Sequence, residues 1–268
     1  MTRFIAFTLA LLVAPPVFAQ VGKSQGVVDA NTITEAELGK LPGMTPAIAK
    51  SLVAVRPFDG ITALNTFLLG QKLTQDQANA LYRNIFVNIN LNTATAAEIM
   101  LVPGAGKRMA HEFEEYRPWK SYAQFEKEIG KYVDATEVAR LAQYTFIPLN
   151  LNTASAADFM TIPGAGKRFA HEFEEYRPWK SQAQFEKEIG KYVDAKEVAR
   201  LAQYTFIPLN LNTASADDFM TIPGAGKRFA HEFQEYRPWK TQAQFEKEIG
   251  KYVDAKEVKR FWRYMVIP

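Results

Sequence analysis

Residues 150–209 read NLNTASAADFMTIPGAGKRFAHEFEEYRPWKSQAQFEKEIGKYVDAKEVARLAQYTFIPL, and the same segment returns almost unchanged from Asn210 and, with more differences, from Asn90. Gly104, Gly164 and Gly224 mark the period, each 60 positions from the next. A repeat of this length points to an array of stacked supersecondary units rather than one large core. A diverged copy lies upstream. Thr34-Glu35-Ala36-Glu37-Leu38, Leu41-Pro42-Gly43 and Arg56-Pro57-Phe58 match Thr95 to Ile99, Val102 to Gly104 and Arg117 to Trp119. The periods divide the chain into modules at residues 20–88, 89–148, 149–208 and 209–268, preceded by residues 1–19.

Each module reads as four short helices. Ser155 with Asp158 forms a capping box: the serine oxygen takes a free N–H of the first turn and the carboxylate returns to the cap's own N–H. Thr34 with Glu37, Thr95 with Glu98 and Ser215 with Asp218 repeat it. The first helix carries Phe159 and Ile162 inward and stops at Pro163-Gly164. The second starts after Gly166 and places Phe169, Phe173 and Tyr176 on one stripe. Arg177-Pro178 ends it, because the residue before proline is pushed out of the helical region. Phe185 and Ile189 mark the third helix, which breaks at Gly190. Asp194 then caps the fourth with Glu197 three residues on, as do Asp134 with Glu137, Asp254 with Glu257 and, more weakly, Thr74 with Gln77. The expected fold class is therefore all-α, a tandem array of four short-helix modules. The joints Phe146-Ile147-Pro148-Leu149 and Phe206-Ile207-Pro208-Leu209 are short and apolar, which predicts a semi-rigid string rather than flexible beads.

The chain opens with Thr2 and Arg3, an apolar run from Phe4 to Val13, Pro15-Pro16 and Val17-Phe18-Ala19. That order predicts a signal peptide over residues 1–19, cleaved after Ala19. The run falls short of the roughly 20 residues that cross a bilayer. A periplasmic or otherwise extracytoplasmic protein without stable membrane insertion is expected, and the lack of cysteine suits an oxidising compartment. The formal charge of +3, from 32 basic and 29 acidic residues, announces no nucleic-acid partner in bulk, so any such claim rests on local placement. Of the three closely similar modules the last alone is net basic, with ten basic and eight acidic residues, through Lys259, Arg260 and Arg263.

The element that carries chemistry is PGAGKR, at Pro103 to Arg108, Pro163 to Arg168 and Pro223 to Arg228. Two glycines allow a tight turn and leave the backbone bare. A helix begins directly behind them, so unpaired N–H groups and the positive end of its dipole point into one space. Lys107, Arg108, Lys167, Arg168, Lys227 and Arg228 add charge there. The arrangement suits a phosphate.

The order NLNTAS, then PGxGxxxA, then YR and an aromatic before a second hairpin resembles the helix-hairpin-helix motif, particularly the tandem form of ComEA-type competence proteins. Gly164-Ala165-Gly166 followed by Ala170 and Tyr176 carries the spacing, and the resemblance covers each of the three later modules end to end. It implies modules of helix-hairpin-helix type and sequence-independent binding of duplex DNA backbone. The implied contacts are Gly104, Gly106, Lys107 and Arg108, Gly164, Gly166, Lys167 and Arg168, and Gly224, Gly226, Lys227 and Arg228. It further implies an extracytoplasmic protein that receives incoming DNA during uptake. The chain departs from the pattern in three places. Ala165 stands where a larger aliphatic is usual. The second hairpin, Gly190-Lys191-Tyr192-Val193, lacks a second glycine and is expected to be structural. The first module reads Gly43-Met44-Thr45-Pro46-Ala47, without the basic pair, and is expected to cap the array rather than bind phosphate.

Other residues read more plainly. His111, His171 and His231 each have a carboxylate four residues on, but a metal site needs three or four ligands, so solvated or partly buried histidine is expected and no metal. Trp119, Trp179 and Trp239 are expected to pin the turn into the core. No nucleophile triad, phosphate loop with Lys-Ser/Thr or dinucleotide fingerprint is present, so no enzyme, cofactor or small-molecule substrate is expected. Two functions remain: an exported DNA-binding protein, or a cell-envelope scaffold that presents mixed-charge helical faces to a protein partner.

Overall fold

In a computed structural model, residues 26–267 are described; the expected leader through Ala19 lies outside the described residues. The chain is mainly helical, and its elements repeat four times in the order strand, four helices, strand. The first unit comprises β1 (Val28–Asp29), α1 (Glu35–Leu38), α2 (Pro46–Ala54), α3 (Ile61–Gly70), α4 (Gln75–Leu81) and β2 (Ile85–Phe86). The second comprises β3 (Ile89–Asn90), α5 (Ala96–Met100), α6 (Lys107–Glu115), α7 (Tyr122–Ile129), α8 (Ala135–Ala142) and β4 (Thr145–Phe146). β5 (Leu149–Asn150), α9 (Ala156–Phe159), α10 (Gly166–Glu175), α11 (Gln182–Ile189), α12 (Ala195–Gln203) and β6 (Thr205–Phe206) form the third. The fourth has β7 (Leu209–Asn210), α13 (Ala216–Met220), α14 (Gly226–Glu235), α15 (Gln242–Ile249), α16 (Ala255–Trp262) and β8 (Met265–Val266). No helix among the described residues is long and apolar enough to cross a membrane.

The strands were not expected, and they lie in the joints. In every unit the entering strand pairs in parallel with the leaving one, as Leu149 opposite Thr205 and Asn150 opposite Phe206. The amide of Leu149 donates to the Tyr204 carbonyl at 2.8 Å and that of Leu151 to Phe206 at 3.0 Å. These segments are too short to show a period-two pattern, and their backbone groups are satisfied only by a partner more than 50 residues away.

A second closure uses the asparagine of the NLN segment. Asn152 Oδ1 accepts from the Trp179 amide at 2.7 Å, and its Nδ2 donates to the Trp179 carbonyl at 2.9 Å. Asn92 and Asn212 repeat this on Trp119 and Trp239, and Asn31 does so on Phe58. Arg177 Nε donates to the Leu151 carbonyl at 2.7 Å, and its guanidinium also reaches Ala154. The tryptophans are buried, and Trp179 Nε1 donates to the Phe173 carbonyl at 2.7 Å, so the ring fills the core with its polar atom satisfied. Stacking on bases is closed to them.

The caps differ in detail from expectation. Thr34, Thr95, Ser155 and Ser215 make both arms of the box. So does Thr74 with Gln77, the pair expected to be weaker. Asp134, Asp194 and Asp254 make only the forward arm. Their N3 glutamates are taken by arginines one turn on, as in Arg200 to Glu197 at 2.6 Å.

Neighbouring units meet through one aromatic from each. Phe86 packs on Tyr144 with ring centroids 5.0 Å apart, Phe146 on Tyr204 at 4.4 Å and Phe206 on Tyr264 at 4.9 Å. The array also folds back, so a string is an incomplete description. Tyr204 of the third unit donates to Asp29 of the first at 3.3 Å. Arg263 of the fourth unit reaches back to the carbonyls of Trp119 and Pro148 in the second, and Lys256 pairs with Glu115 at 2.8 Å. Two of the three basic residues expected to carry the last unit's surplus are thereby internal, while Lys259 is exposed. Arg263 is engaged in this contact, and Arg260 is buried against Glu257 and the Pro223 carbonyl.

Candidate nucleic-acid interface

The three PGAGKR hairpins share the turn at the first glycine and differ at the second. Ile162 and Phe159 are buried beneath the turn, and Ala165 is buried between the two exposed glycines, as are Ala105 and Ala225. The alanine amide closes the turn on the carbonyl three residues back, at 2.9 Å for Ala105, 3.1 Å for Ala165 and 3.0 Å for Ala225. A methyl group thus anchors the hairpin.

The two glycines have different tasks. Gly104, Gly164 and Gly224 sit at φ of +82°, +77° and +75°, and Gly43 of the first unit sits at +84°. This glycine makes the turn in all four units, because other residues are strained there. Gly106 has φ of −96°, and a Cβ placed on it would meet nothing within 4 Å. Neither strain nor crowding in the second unit requires a glycine at that position. Gly166 and Gly226 adopt φ of +60° and +57°, again with open space where a side chain would stand. The second glycine leaves a bare surface at the start of a helix.

That helix start is electrostatically open. Twelve of the sixteen described helices have a side-chain cap; α6, α10 and α14 have none, and neither does α3. Helix geometry leaves the first N–H groups of each without an intrahelical acceptor. In α6, α10 and α14 they emerge beside exposed Lys107 and Arg108, Lys167 and Arg168, and Lys227 and Arg228. In the first unit Thr45 takes the place of the second glycine. Its hydroxyl accepts from the Ile48 amide at 3.2 Å, and Pro46 follows at the first helical position, where it has no N–H to offer. The first unit has closed the same opening with its own side chain.

Sequence reasoning missed the support behind the turn. Arg200 Nη2 donates to the Pro163 carbonyl at 2.8 Å while paired with Glu197, and Arg260 reaches the Pro223 carbonyl in the same way. Arg140 pairs with Glu137 beneath Gly104. Ala80 occupies this position in the first unit. The signal was the basic residue six positions after the fourth-helix cap, visible only once the fourth helix is laid under the first hairpin.

The hairpins are not equally uncovered. A Cβ on Gly164 would come within 3.0 Å of the Thr32 side chain of the first unit, and Gly224 shares a cleft with Asn92 and Thr93 of the second. The structure therefore brings Gly166, Lys167 and Arg168 together at the opening, and turns Gly164 toward a neighbouring unit. The acidic residues of α10 are engaged: Glu175 meets exposed His171 at 3.2 Å, Glu174 lies 3.8 Å from Arg177, and Glu172 is buried. No group of three potential metal ligands occurs among the described residues. A groove of about 810 Å³ lies among the joints of the last three units, lined by Phe146, Pro148, Phe206 and Trp262. It reaches the third unit's hairpin at Ile162 and Pro163. Comparison with known proteins found no matching family model, curated protein or solved structure.

Proposed function

We propose that this chain is an exported, non-enzymatic protein of helix-hairpin-helix type that holds the phosphate backbone of duplex DNA, without regard to sequence, through three PGAGKR hairpins. The observation that carries this reading is the opening itself. A bare glycine, a helix start without a side-chain cap and an exposed Lys-Arg pair coincide three times, and in the first unit all three are replaced together by Thr45, Pro46 and Ala47. Backbone amides at a helix start and mobile cations both favour an anion. Neither reads base edges, so the grip is on the strand rather than the sequence.

One hairpin with two charges gives about 4 kcal/mol, a millimolar grip. Three linked hairpins raise the effective affinity by roughly 10² to 10⁴ where their spacing matches one duplex. Reception of incoming DNA outside the cytoplasm, as in ComEA-type competence proteins, is the biological task this proposal assigns. A second reading, an envelope scaffold, is favoured by the contact of Thr32 with Gly164, which devotes one hairpin flank to protein packing.

Fluorescence anisotropy of residues 20–268 with random-sequence duplex, at several salt concentrations, separates the two. DNA binding requires a salt dependence with a log–log slope of up to about 5 for six basic contacts, and its collapse when all three Lys-Arg pairs become alanine. Absence of binding at low salt removes the DNA reading and leaves the scaffold.

A further inference from the structure

The arginine of each hairpin is held by the loop that lacks a second glycine. Arg108 Cζ lies 5.2 Å from the ring centroid of Tyr132, Arg168 Cζ 5.0 Å from Tyr192 and Arg228 Cζ 5.4 Å from Tyr252. Each tyrosine is itself fixed. Its hydroxyl lies 2.9 Å from that of Tyr116, 3.0 Å from Tyr176 and 2.9 Å from Tyr236, respectively. On the far side, Lys131, Lys191 and Lys251 lie over the second tyrosine of each pair, at 4.9, 5.0 and 5.2 Å, tied to Glu128, Glu188 and Glu248.

This assembly is present or absent as a whole. In the first unit Ala47 stands for the arginine and Val55 for the tyrosine that ends the hairpin helix, and the second loop from Leu69 to Leu73 contains no aromatic ring. The core of that unit is closed by the same asparagine clamp and the same strand pair as the others. The tyrosine pair is therefore not needed to build a unit; it accompanies the arginine.

We infer that Tyr132, Tyr192 and Tyr252 are positioning residues of the phosphate site, each holding the hairpin arginine in place beside the bare second glycine. The inference rests on the proposed backbone-binding reading and deepens it. A free arginine loses rotamer freedom when it meets a phosphate, whereas one already held against a ring loses less. A guanidinium over a π face keeps its edge N–H groups available, and those are the groups that bond phosphate oxygens. The second loop thus serves the first hairpin through a ring rather than through backbone amides.

The test is a double-mutant cycle in the full chain from residue 20. All three tyrosines are changed to leucine, with the three arginines intact or changed to alanine, and anisotropy is read on random-sequence duplex at low salt. With the arginines present, Tyr→Leu weakens binding about 2- to 5-fold per unit and about 10-fold or more for the three, while Tyr→Phe, which keeps the ring, stays near the parent. With the arginines absent, Tyr→Leu adds nothing. Equal weakening in both backgrounds, or none in either, overturns the positioning role. A parent chain that binds no DNA removes the underlying reading as well, and is distinguished because it is seen without any substitution. If the leucine variant does not fold, NMR of the free parent decides. The arginine δ-protons shift upfield under the tyrosine ring current if the stacking is present, and random-coil shifts at all three arginines overturn the proposal.

Discussion

The first unit and the three that follow share a scaffold and differ around one hairpin. All four close with a parallel strand pair, an asparagine clamp on the Arg-Pro-aromatic turn and a positive-φ glycine in the hairpin. At the helix start behind that glycine, the first unit has Thr45 and Pro46 satisfying the backbone from within, while the others have a glycine, a lysine and an arginine around unpaired amides. The difference teaches which residues build the unit and which equip it. Whatever all four have is structural. What the first lacks belongs to the binding reading, and that includes a glycine that neither strain nor crowding demands in the second unit.

The largest expected effect lies in the shared part. Trp179→Ala, at a fully enclosed ring, costs about 3–5 kcal/mol, and Phe58→Ala in the first unit falls in the same range, read as loss of thermal stability by circular dichroism. A far smaller cost at Phe58 would break the claim that the scaffolds are equivalent. Next come the two glycines. Gly104→Ala forces a Cβ into positive φ at about 1–2 kcal/mol, whereas Gly106→Ala changes stability by less than about 1 kcal/mol and yet weakens DNA binding by obstructing the opening. Equal behaviour of the two variants in melting and in anisotropy would erase the division of tasks. Thr45→Ala removes a cap and costs the first unit about 1 kcal/mol, with no counterpart at the uncapped helices.

The smallest effect concerns the contact between the first and third units. Burial holds the Asp29 carboxyl above its ordinary range, against the opposing pull of Arg200. The folded state therefore binds more protons at this group than the unfolded one, so its contribution is complete below the unfolded pKa and declines as pH rises through the raised one. Asp29→Asn, which installs the residue found at Asn90, Asn150 and Asn210, flattens that decline. The measurement is the melting temperature of the variant minus that of the parent from about pH 4 upward. A difference that does not vary with pH contradicts the assignment.

Much of this was legible in the residues. The period, the helix caps, the buried tryptophans and the hairpin with its basic pair all follow from local chemistry, because caps and turns are decided within a few residues. What escaped depended on distance. The two-residue strands in the joints carry no periodic pattern of their own. Asn152 looks like a loop residue until Trp179 is laid against it. Arg260 and Arg263 count as surface charge in a sum over the sequence, and only the fold-back onto the second unit and the hairpin carbonyl turns them inward. Likewise Tyr192 reads as part of a structural loop until α10 brings Arg168 over its ring. Local signals located the candidate site; the residues that support it come from elsewhere in the chain.

The most direct measurement is NMR of the chain from residue 20, ¹⁵N-labelled at glycine, lysine and threonine in separate samples, titrated with a short random-sequence duplex. The account predicts that amides of Gly106, Gly166, Gly226, Lys107, Lys167 and Lys227 shift progressively and that those shifts reverse with added salt, while the Thr45 amide in the self-capped first unit stays unmoved. Shifts centred on Thr45, or a titration that leaves the six hairpin amides where they began, would contradict it.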